Sequence, residues 1–225
     1  MELPKLVLGK DVLLDVDGAL GKEWLLTNGL GGYASSTVLG VNTRKYHGLL
    51  VAALNPPINR WVLLAKLDEQ LKIGNETYNL AANEFHDIIH PEGHRFLSSF
   101  VVDPLPTYSY VVGDVRLQKT IVMPYMKNAT ATIYEVINPL DKEVVVKVSP
   151  LINSRHIYHT TDKNRLQWSF IQNRLGEATV IETSDSMTSL ILSSGNMGSF
   201  VEESWWIEKI FFRADAASQK QINSA

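Results

Sequence analysis

Two short apolar runs on either side of a tight turn indicate the fold class, where residues 109–122 read SYVVGDVRLQKTIV. The runs are rich in β-branched and aromatic residues, and the Gly113-Asp114 pair between them is a strong turn signal. The same pattern occurs at residues 71–80, LKIGNETYNL, around the turn residues 74–76. Both segments predict antiparallel β-hairpins.

Strand-like runs separated by turn residues continue along almost the whole chain. These runs are residues 49–54, 61–64, 130–137, 143–148, 165–172, 178–183 and 188–192. Helical periodicity is weak, and residues 216–222 are the one segment that we expect to be helical. Turns at intervals of about 8–12 residues are typical of sandwiches. We therefore predict an all-β, mainly antiparallel protein, a large two-sheet sandwich that forms one domain over residues 1–225.

The composition suits a protein with a large core and excludes several functional classes. The chain is 45% hydrophobic, carries a formal net charge of −3 and has no run rich in Lys or Arg, so a nucleic-acid partner is not expected.

The longest apolar runs, such as residues 49–54, fall far short of the about 20 residues that span a membrane. No signal-peptide pattern is visible. The absence of cysteine excludes disulfides and is compatible with a reducing cytoplasm, where we expect the protein to act.

Residues 27–37, TNGLGGYASST, and residues 42–48, NTRKYHG, form the most distinctive part of the sequence. Three glycines within four residues let the backbone turn sharply and come close to a ligand or to another chain segment. The polar side chains that follow suit a hydroxyl-rich ligand, and the alternative is a tight bulged turn whose polar groups cap their own backbone. The candidate residues for contact with substrate or with another domain are Asn28, Tyr33, Asn42, Arg44, Tyr46 and His47.

Three of these candidates would not face one ligand if they lay on a regular extended strand. Arg44 and Tyr46 would share a face, while His47 would point the opposite way. A local bulge is therefore needed for all three to meet, and Gly48 beside His47 is a residue type that permits one. We expect residues 28–47 to lie on the surface, at one end or edge of the sandwich.

A glycine pattern in the same segment fits a nucleotide-binding fingerprint, but the surrounding sequence does not. Gly29-x-Gly31-x-x-Ala34 matches G-x-G-x-x-G/A, but neither the required helix nor the acidic residue follows. A dinucleotide-binding site is therefore not expected. The sequence also pairs no two acidic residues across a cleft, as glycoside hydrolysis would require, so no catalytic residue is predicted.

Three histidines recur every four residues, a spacing that would stack them on one face of a helix. His86, His90 and His94 are interrupted by Pro91 and Gly93, which break such a helix. We interpret the segment as a loop with solvated histidines rather than as a metal site.

The glycine-rich segment and its neighbours resemble the opening signature of prokaryotic-type glycogen debranching enzymes. Residues 23–35, EWLLTNGLGGYAS, and residues 42–52, NTRKYHGLLVA, carry the most specific part of the resemblance. Looser similarity continues in residues 64–69, 90–97, 103–108 and 150–164, and thus covers nearly the whole chain. Residues 155–160, RHIYHT, depart most from the family's Arg-Asp-Tyr-His-type segment.

The resemblance implies a fold, an activity and two partners. Members of this family have an N-terminal β-supersandwich similar to mutarotase-like domains, followed by a helical barrel that holds the catalytic carboxyls. Their activity is that of an amylo-α-1,6-glucosidase, which needs no cofactor. We therefore expect a non-catalytic, glucan-facing domain that is inactive by itself, with an α-glucan and the C-terminal catalytic domain as partners.

Tryptophans are further candidates for glucan contact because aromatic rings pack on the C–H faces of sugars. The chain has five, Trp24, Trp61, Trp168, Trp205 and Trp206. In a sandwich most large aromatic residues fill the core. Neighbours on a strand face opposite ways, so one ring of the Trp205-Trp206 pair should point away from the core.

Two alternative functions stay open at this point. One is a stand-alone carbohydrate-binding module. The other is a small mutarotase-like sugar epimerase, in which His47 would act with Asp68 or Glu69 as acid and base.

Overall fold

Sixteen strands and three α-helices make up the part of the chain that the computed structural model describes, residues 5–86, 88–195 and 198–223, with side chains up to residue 218. The strands are β1 (Leu6–Gly9), β2 (Glu23–Thr27), β3 (Tyr33–Thr37), β4 (Gly48–Asn55), β5 (Ile58–Ile73), β6 (Glu76–Asn79), β7 (Glu84–Phe85), β8 (Ile88–Ile89), β9 (Leu97–Val102), β10 (Pro106–Val112), β11 (Val115–Val122), β12 (Ala131–Ile137), β13 (Val144–His156), β14 (Phe170–Leu175), β15 (Ala178–Thr183) and β16 (Ser189–Ser193). The helices are α1 (Lys10–Leu13), α2 (Val16–Leu20) and α3 (Arg213–Asn223), and 3-10 turns lie at Gly93–Phe96 and Lys163–Arg165.

Two large sheets and two small ones organise these strands. The five-stranded sheet has the order β1-β9-β10-β11-β12. The six-stranded sheet has the order β13-β5-β4-β3-β2, with β6 added beside β5. Strands β14-β15-β16 and β7-β8 form the small sheets, and the pairings within all four are antiparallel. The predicted all-β, antiparallel class is confirmed.

The core lies between the two large sheets, because each sheet turns one apolar face toward the other. Leu71 on β5 and Phe100 on β9 are both fully buried in one continuous cluster. Trp24 on β2 crosses the interface, where its indole N–H donates to the Tyr108 hydroxyl at 2.5 Å. The Tyr108 hydroxyl in turn donates to the Thr37 carbonyl at 2.8 Å, so the polar ends of both buried rings are satisfied.

Both predicted hairpins are confirmed. Val112 on β10 pairs with Val115 on β11 across a two-residue turn, and Gly113 adopts a φ of 59° there. Ile73 on β5 pairs with Glu76 on β6 in the same manner. Two-residue hairpin turns need positive φ values, which glycine adopts without steric cost.

Strands β12 and β13 follow each other in sequence but lie in different sheets. Both alternate in polarity and are joined by a short turn, yet β12 pairs with β11 in one large sheet and β13 pairs with β5 in the other. Residues 138–143 therefore connect the two sheets rather than closing a hairpin. Alternation fixes which face of a strand is buried but leaves its partner undetermined.

The helices are few, as the weak helical periodicity predicts. The predicted helix at residues 216–222 is confirmed as part of α3, whereas α1 and α2 are single turns that periodicity cannot detect. The Asp15 side chain caps α2 by accepting from the Gly18 N–H at 3.2 Å. Among the described residues, none of the helices combines the length and the apolar composition needed to cross a bilayer.

A cluster of charged side chains is enclosed between the large sheets. Glu69 on β5 is 2% exposed and lies 2.6 Å from the ammonium group of Lys119 on β11. The Tyr134 hydroxyl of β12 donates to the same carboxylate oxygen at 2.5 Å. The Lys66 ammonium group lies 3.0 Å from Asp68. These pairs compensate charges whose burial would otherwise be strongly unfavourable.

Candidate functional site

An open cleft with a volume of about 220 Å³ lies at the edge of the six-stranded sheet, where β2 is the last strand. The residues that line it are Glu23, Trp24, Leu25, Tyr33, Ser35, Arg44, Tyr46 and His47. The structure therefore brings together Tyr33, Arg44, Tyr46 and His47, four of the six residues predicted to contact substrate or another domain. Lining a cleft does not by itself test that contact, which stays a prediction.

A tight turn, rather than a bulged strand, brings three of these residues to the cleft. The His47 N–H donates to the Arg44 carbonyl at 3.1 Å, and β4 begins only at Gly48. Arg44, Tyr46 and His47 therefore do not lie on an extended strand. The chain reversal places all three side chains at one cleft without the bulge that a strand would need.

Glu23 connects the side chains of the turn to β2. Its carboxylate oxygen Oε1 accepts from Arg44 Nε at 2.7 Å and lies 3.5 Å from His47 Nε2. Glu23 lies in the segment that carries the family resemblance, yet its role at the cleft was not predicted. The antiparallel pairing of β2 with β3, in which Glu23 faces Thr37, sets its position beside the turn.

His47 is held neutral by its surroundings. The Thr43 N–H donates to Nδ1 at 3.1 Å, which assigns the ring proton to Nε2, on the side of Glu23. The ring is 3% exposed, and this burial lowers the pKa of His47 below its ordinary value of 6.5, although nearby Glu23 acts in the opposite direction. His47 is thus a fixed hydrogen-bond donor next to a carboxylate.

The burial of His47 predicts that acidification destabilises the protein. The unfolded chain takes up a proton near pH 6.5, whereas folded His47 stays neutral to lower pH. The contribution of neutral His47 to the free energy of unfolding is therefore complete above about pH 6.5. It is lost as the pH falls from there through the pKa of His47 in the folded protein. Urea denaturation between about pH 7.5 and pH 5 should show a falling free energy of unfolding and a smaller fall in His47→Gln.

His94 supplies the internal comparison for this experiment. Burial also lowers its pKa, so His94→Gln should remove a separate part of the pH dependence. The double variant should then be flatter than either single variant. A His47→Gln protein that follows the wild-type pH profile would show that His47 does not contribute.

The two tyrosines of the cleft are oriented by the turn. The Tyr33 hydroxyl donates to the Tyr46 carbonyl at 2.7 Å. Burial raises the pKa of Tyr33 to about 12, so the hydroxyl keeps its proton at neutral pH. The Tyr46 ring, by contrast, is only partly buried, and the Lys45 ammonium group lies 5.4 Å from its centroid.

The remaining two candidates, Asn28 and Asn42, are buried away from solvent. Asn28 accepts from the N–H groups of Leu30 and Gly32 and donates to Asn128, so its amide organises the glycine-rich loop. Asn42 accepts from the Ser36 hydroxyl and donates to the Ala65 carbonyl. For these two residues, the hydrogen bonds agree with the alternative to ligand contact given above, in which polar side chains of the segment bond to groups of their own chain.

Most of residues 28–47 is buried, so the prediction that the whole segment lies on the surface is wrong. Gly29 and the turn residues 44–46 reach the surface, and the segment does lie at the sheet edge. The glycines allow close approach to other parts of the same chain. A Cβ on Gly29 would lie 2.5 Å from the Tyr125 ring, and one on Gly31 would lie 2.3 Å from the Pro57 carbonyl oxygen.

Helix α3 fixes the turn from the opposite end of the sequence. The Asp215 carboxylate accepts from the Lys45 N–H at 2.7 Å, and the Ala214 N–H donates to the Thr43 carbonyl at 3.1 Å. Arg213 binds Glu84 with a separation of 2.6 Å and Asp17 with a separation of 2.6 Å. These contacts, more than a hundred residues apart in sequence, could not be identified from the sequence pattern.

Neither the histidine-rich segment nor the proposed acid–base pairs belong to the cleft. His86 and His90 are exposed, and in the described ranges no three His, Asp or Glu side chains gather as metal ligands would.

Asp68 and Glu69 pair with lysines between the sheets, whereas His47 contacts Glu23. The hypothesis that His47 acts with Asp68 or Glu69 is therefore wrong.

The tryptophans divide into buried and exposed residues. Trp24 belongs to the core, and Trp61 and Trp168 are partly buried. Trp205 and Trp206 are 58% and 47% exposed, within residues 198–212, which form no strand. Both rings rather than one reach solvent, because the strand geometry that would separate them is absent from that described segment.

The fold and the cleft define an antiparallel β-sandwich protein with a polar and aromatic edge cleft. Residues 22–223 match the family of the glycogen debranching enzyme N-terminal domain, and the chain belongs to that family. The match confirms the resemblance carried by residues 23–35 and 42–52. Comparison with curated proteins and with solved structures gave no match.

Proposed function

We propose that this chain is the glucan-facing, non-catalytic N-terminal domain of a glycogen debranching enzyme that hydrolyses α-1,6 branch points in glycogen or related α-glucans. Membership of the family supports the assignment to a debranching enzyme. The observation that carries the role of the domain is the edge cleft, in which Arg44 and His47 share one oxygen of Glu23 beside the ring of Tyr46.

The chemistry of the cleft suits an uncharged sugar. Sugar hydroxyls both donate and accept, and the cleft offers a carboxylate acceptor at Glu23 together with donors at Arg44 and Ser35. The Tyr46 ring adds an apolar surface for a pyranose face. Because Glu23, Arg44 and His47 hold one another in place, the polar groups are already oriented before a ligand binds.

The same cleft is poorly suited to hydrolysis. Glycoside hydrolysis uses two carboxyl groups on either side of the bond, separated by about 5–9.5 Å. Among the described residues that line the cleft, Glu23 is the single carboxylate, and it is already paired with Arg44. The proposed role is therefore to hold glucan, or to contact the catalytic domain that performs the chemistry.

Replacing Arg44 by alanine tests this role most directly. In the full-length enzyme we expect kcat/KM on a branched α-glucan to fall about tenfold or more, equivalent to about 1.4 kcal/mol. The Arg44 side chain is 40% exposed, and a surface ion pair of this kind contributes only about 0–1 kcal/mol to stability. The melting temperature of the domain should therefore change only slightly.

Arg95→Ala is the matched control, because Arg95 forms an exposed ion pair with Glu92 outside the cleft. Its kcat/KM should equal that of the wild type. An Arg44→Ala enzyme with unchanged kcat/KM would leave Arg44 as an ordinary surface residue. A large fall in melting temperature would instead show that Arg44 stabilises the domain.

A further inference from the structure

We propose that four aromatic rings beside the cleft form a second binding surface, which takes a linear α-glucan chain. The rings belong to Tyr46, Tyr158, His156 and Trp61, and we call them the aromatic strip. The identity of the sugar rests on the proposed function, whereas the existence of the surface rests on the geometry of the rings.

The rings of the strip follow one another in contact, edge to face in two pairs and tilted by 47° in the pair of His156 and Tyr158. Trp61 on β5 lies directly opposite His156 on β13, with ring centroids 6.2 Å apart and ring planes at 90°. The His156 and Tyr158 centroids are 5.1 Å apart, and those of Tyr158 and Tyr46 are 6.2 Å apart. Since Tyr46 also lines the cleft, the strip continues directly from it.

Hydrogen bonds from two cations hold the backbone around Tyr158 beside the turn that carries Tyr46. Arg155 is 8% exposed and donates to the Lys45 carbonyl at 2.7 Å and to the His159 carbonyl at 2.9 Å. The Lys45 ammonium group donates to the Tyr158 carbonyl at 3.2 Å. Burial lowers the pKa of Arg155 to about 10, so it stays charged at neutral pH. The backbone on both sides of Tyr158 is therefore fixed relative to the turn that carries Tyr46.

The rings are oriented, and they differ in exposure: Tyr158 is exposed, whereas Trp61, His156 and Tyr46 are partly buried. The Trp61 indole N–H donates to the Asn59 side chain at 2.9 Å, which fixes the ring plane. Tyr158 is 62% exposed, although a tyrosine that served only for packing would be largely buried. Rigid exposed aromatic rings give a large contact area at a small cost in side-chain entropy, as binding surfaces require.

The charges beside the strip favour an uncharged ligand. The Arg155 guanidinium group is buried and already bonded to two carbonyl groups, which leaves Lys45 as the exposed cation among the side chains shown to contact the rings. A nucleic-acid site would place several cations along the phosphates. Flat rings with few charges instead match the C–H faces of pyranoses, so a glucan held in the cleft would extend over Tyr158.

Affinity electrophoresis of the 225-residue chain in gels that contain glycogen tests the strip. We expect retardation of the wild type that a soluble linear maltooligosaccharide competes away, and an apparent dissociation constant about fivefold or more higher for Tyr158→Ala. Tyr158→Phe keeps the ring and should bind like the wild type. Trp205→Ala removes a similarly exposed ring outside the strip and should also bind like the wild type.

Each other outcome contradicts glucan binding by the strip. The proposed function is tested separately, by kcat/KM of the Arg44→Ala enzyme. Equal retardation of wild type and Tyr158→Ala would show that the rings do not touch glucan. Equal losses in Tyr158→Ala and Trp205→Ala would show a general effect of exposed rings. A wild type without retardation would exclude the strip as a glucan site, and weaker association of Tyr158→Ala with the separately produced catalytic domain would then assign the strip to a protein interface.

Discussion

Replacing Glu69 by alanine should lower the free energy of unfolding by about 3–5 kcal/mol. The Glu69 carboxylate lies between the two large sheets and contacts the Lys119 ammonium group at 2.6 Å and the Tyr134 hydroxyl at 2.5 Å. Lys119 is 7% exposed, so removal of the carboxylate leaves a positive charge that water cannot reach. Urea denaturation of the purified chain would measure the loss.

Two further variants separate the loss of the ion pair from the loss of packing. Glu203→Ala breaks the exposed pair with Lys147 and should change stability by less than about 1 kcal/mol. The double variant Glu69→Leu with Lys119→Met removes both buried charges and should recover much of the stability lost in Glu69→Ala. If the double variant is less stable than Glu69→Ala, the unpaired lysine is not the cause of the destabilisation.

The sequence predicts the local parts of this fold well and the assignment of strands to sheets poorly. Gly113 and Gly74 mark turns because glycine adopts positive φ values without steric cost, whatever residues surround it. The separation of β12 from β13 depends on which surfaces the two strands bury, such as the contact of Tyr134 with Glu69. Contacts of that kind join residues distant in sequence, so alternation alone cannot reveal them.

The candidate site shows the same division. Residue types select six candidates, of which the structure places Tyr33, Arg44, Tyr46 and His47 around one cleft. Glu23 could not be assigned to them, because only the pairing of β2 with β3 brings it next to the turn. The contribution of α3 was likewise inaccessible, since Asp215 reaches Lys45 through the folded chain and not through a local pattern.

Gly31→Ala should lower the free energy of unfolding by about 2–5 kcal/mol, because backbone strain and steric overlap add together. Gly31 has a φ of 94°, a conformation that side chains with a Cβ rarely adopt. An added Cβ would lie 2.3 Å from the Pro57 carbonyl oxygen and 2.9 Å from the Pro57 Cα. Both contacts are with backbone, and Arg60 further fixes the Gly31 carbonyl by donating to it at 2.6 Å. Neither side can therefore move without disturbing the glycine-rich loop.

Gly113→Ala isolates the contribution of strain from that of overlap. Gly113 has a φ of 59°, and a Cβ there would meet no atom within 4 Å, so the variant should lose only about 1–2 kcal/mol. The difference between the two alanine variants in urea denaturation then measures the contact of the loop with Pro57 together with the added strain of the larger φ at Gly31. Equal losses would mean that the loop shifts freely away from Pro57, and the glycines of residues 29–32 would then be explained by their backbone angles alone.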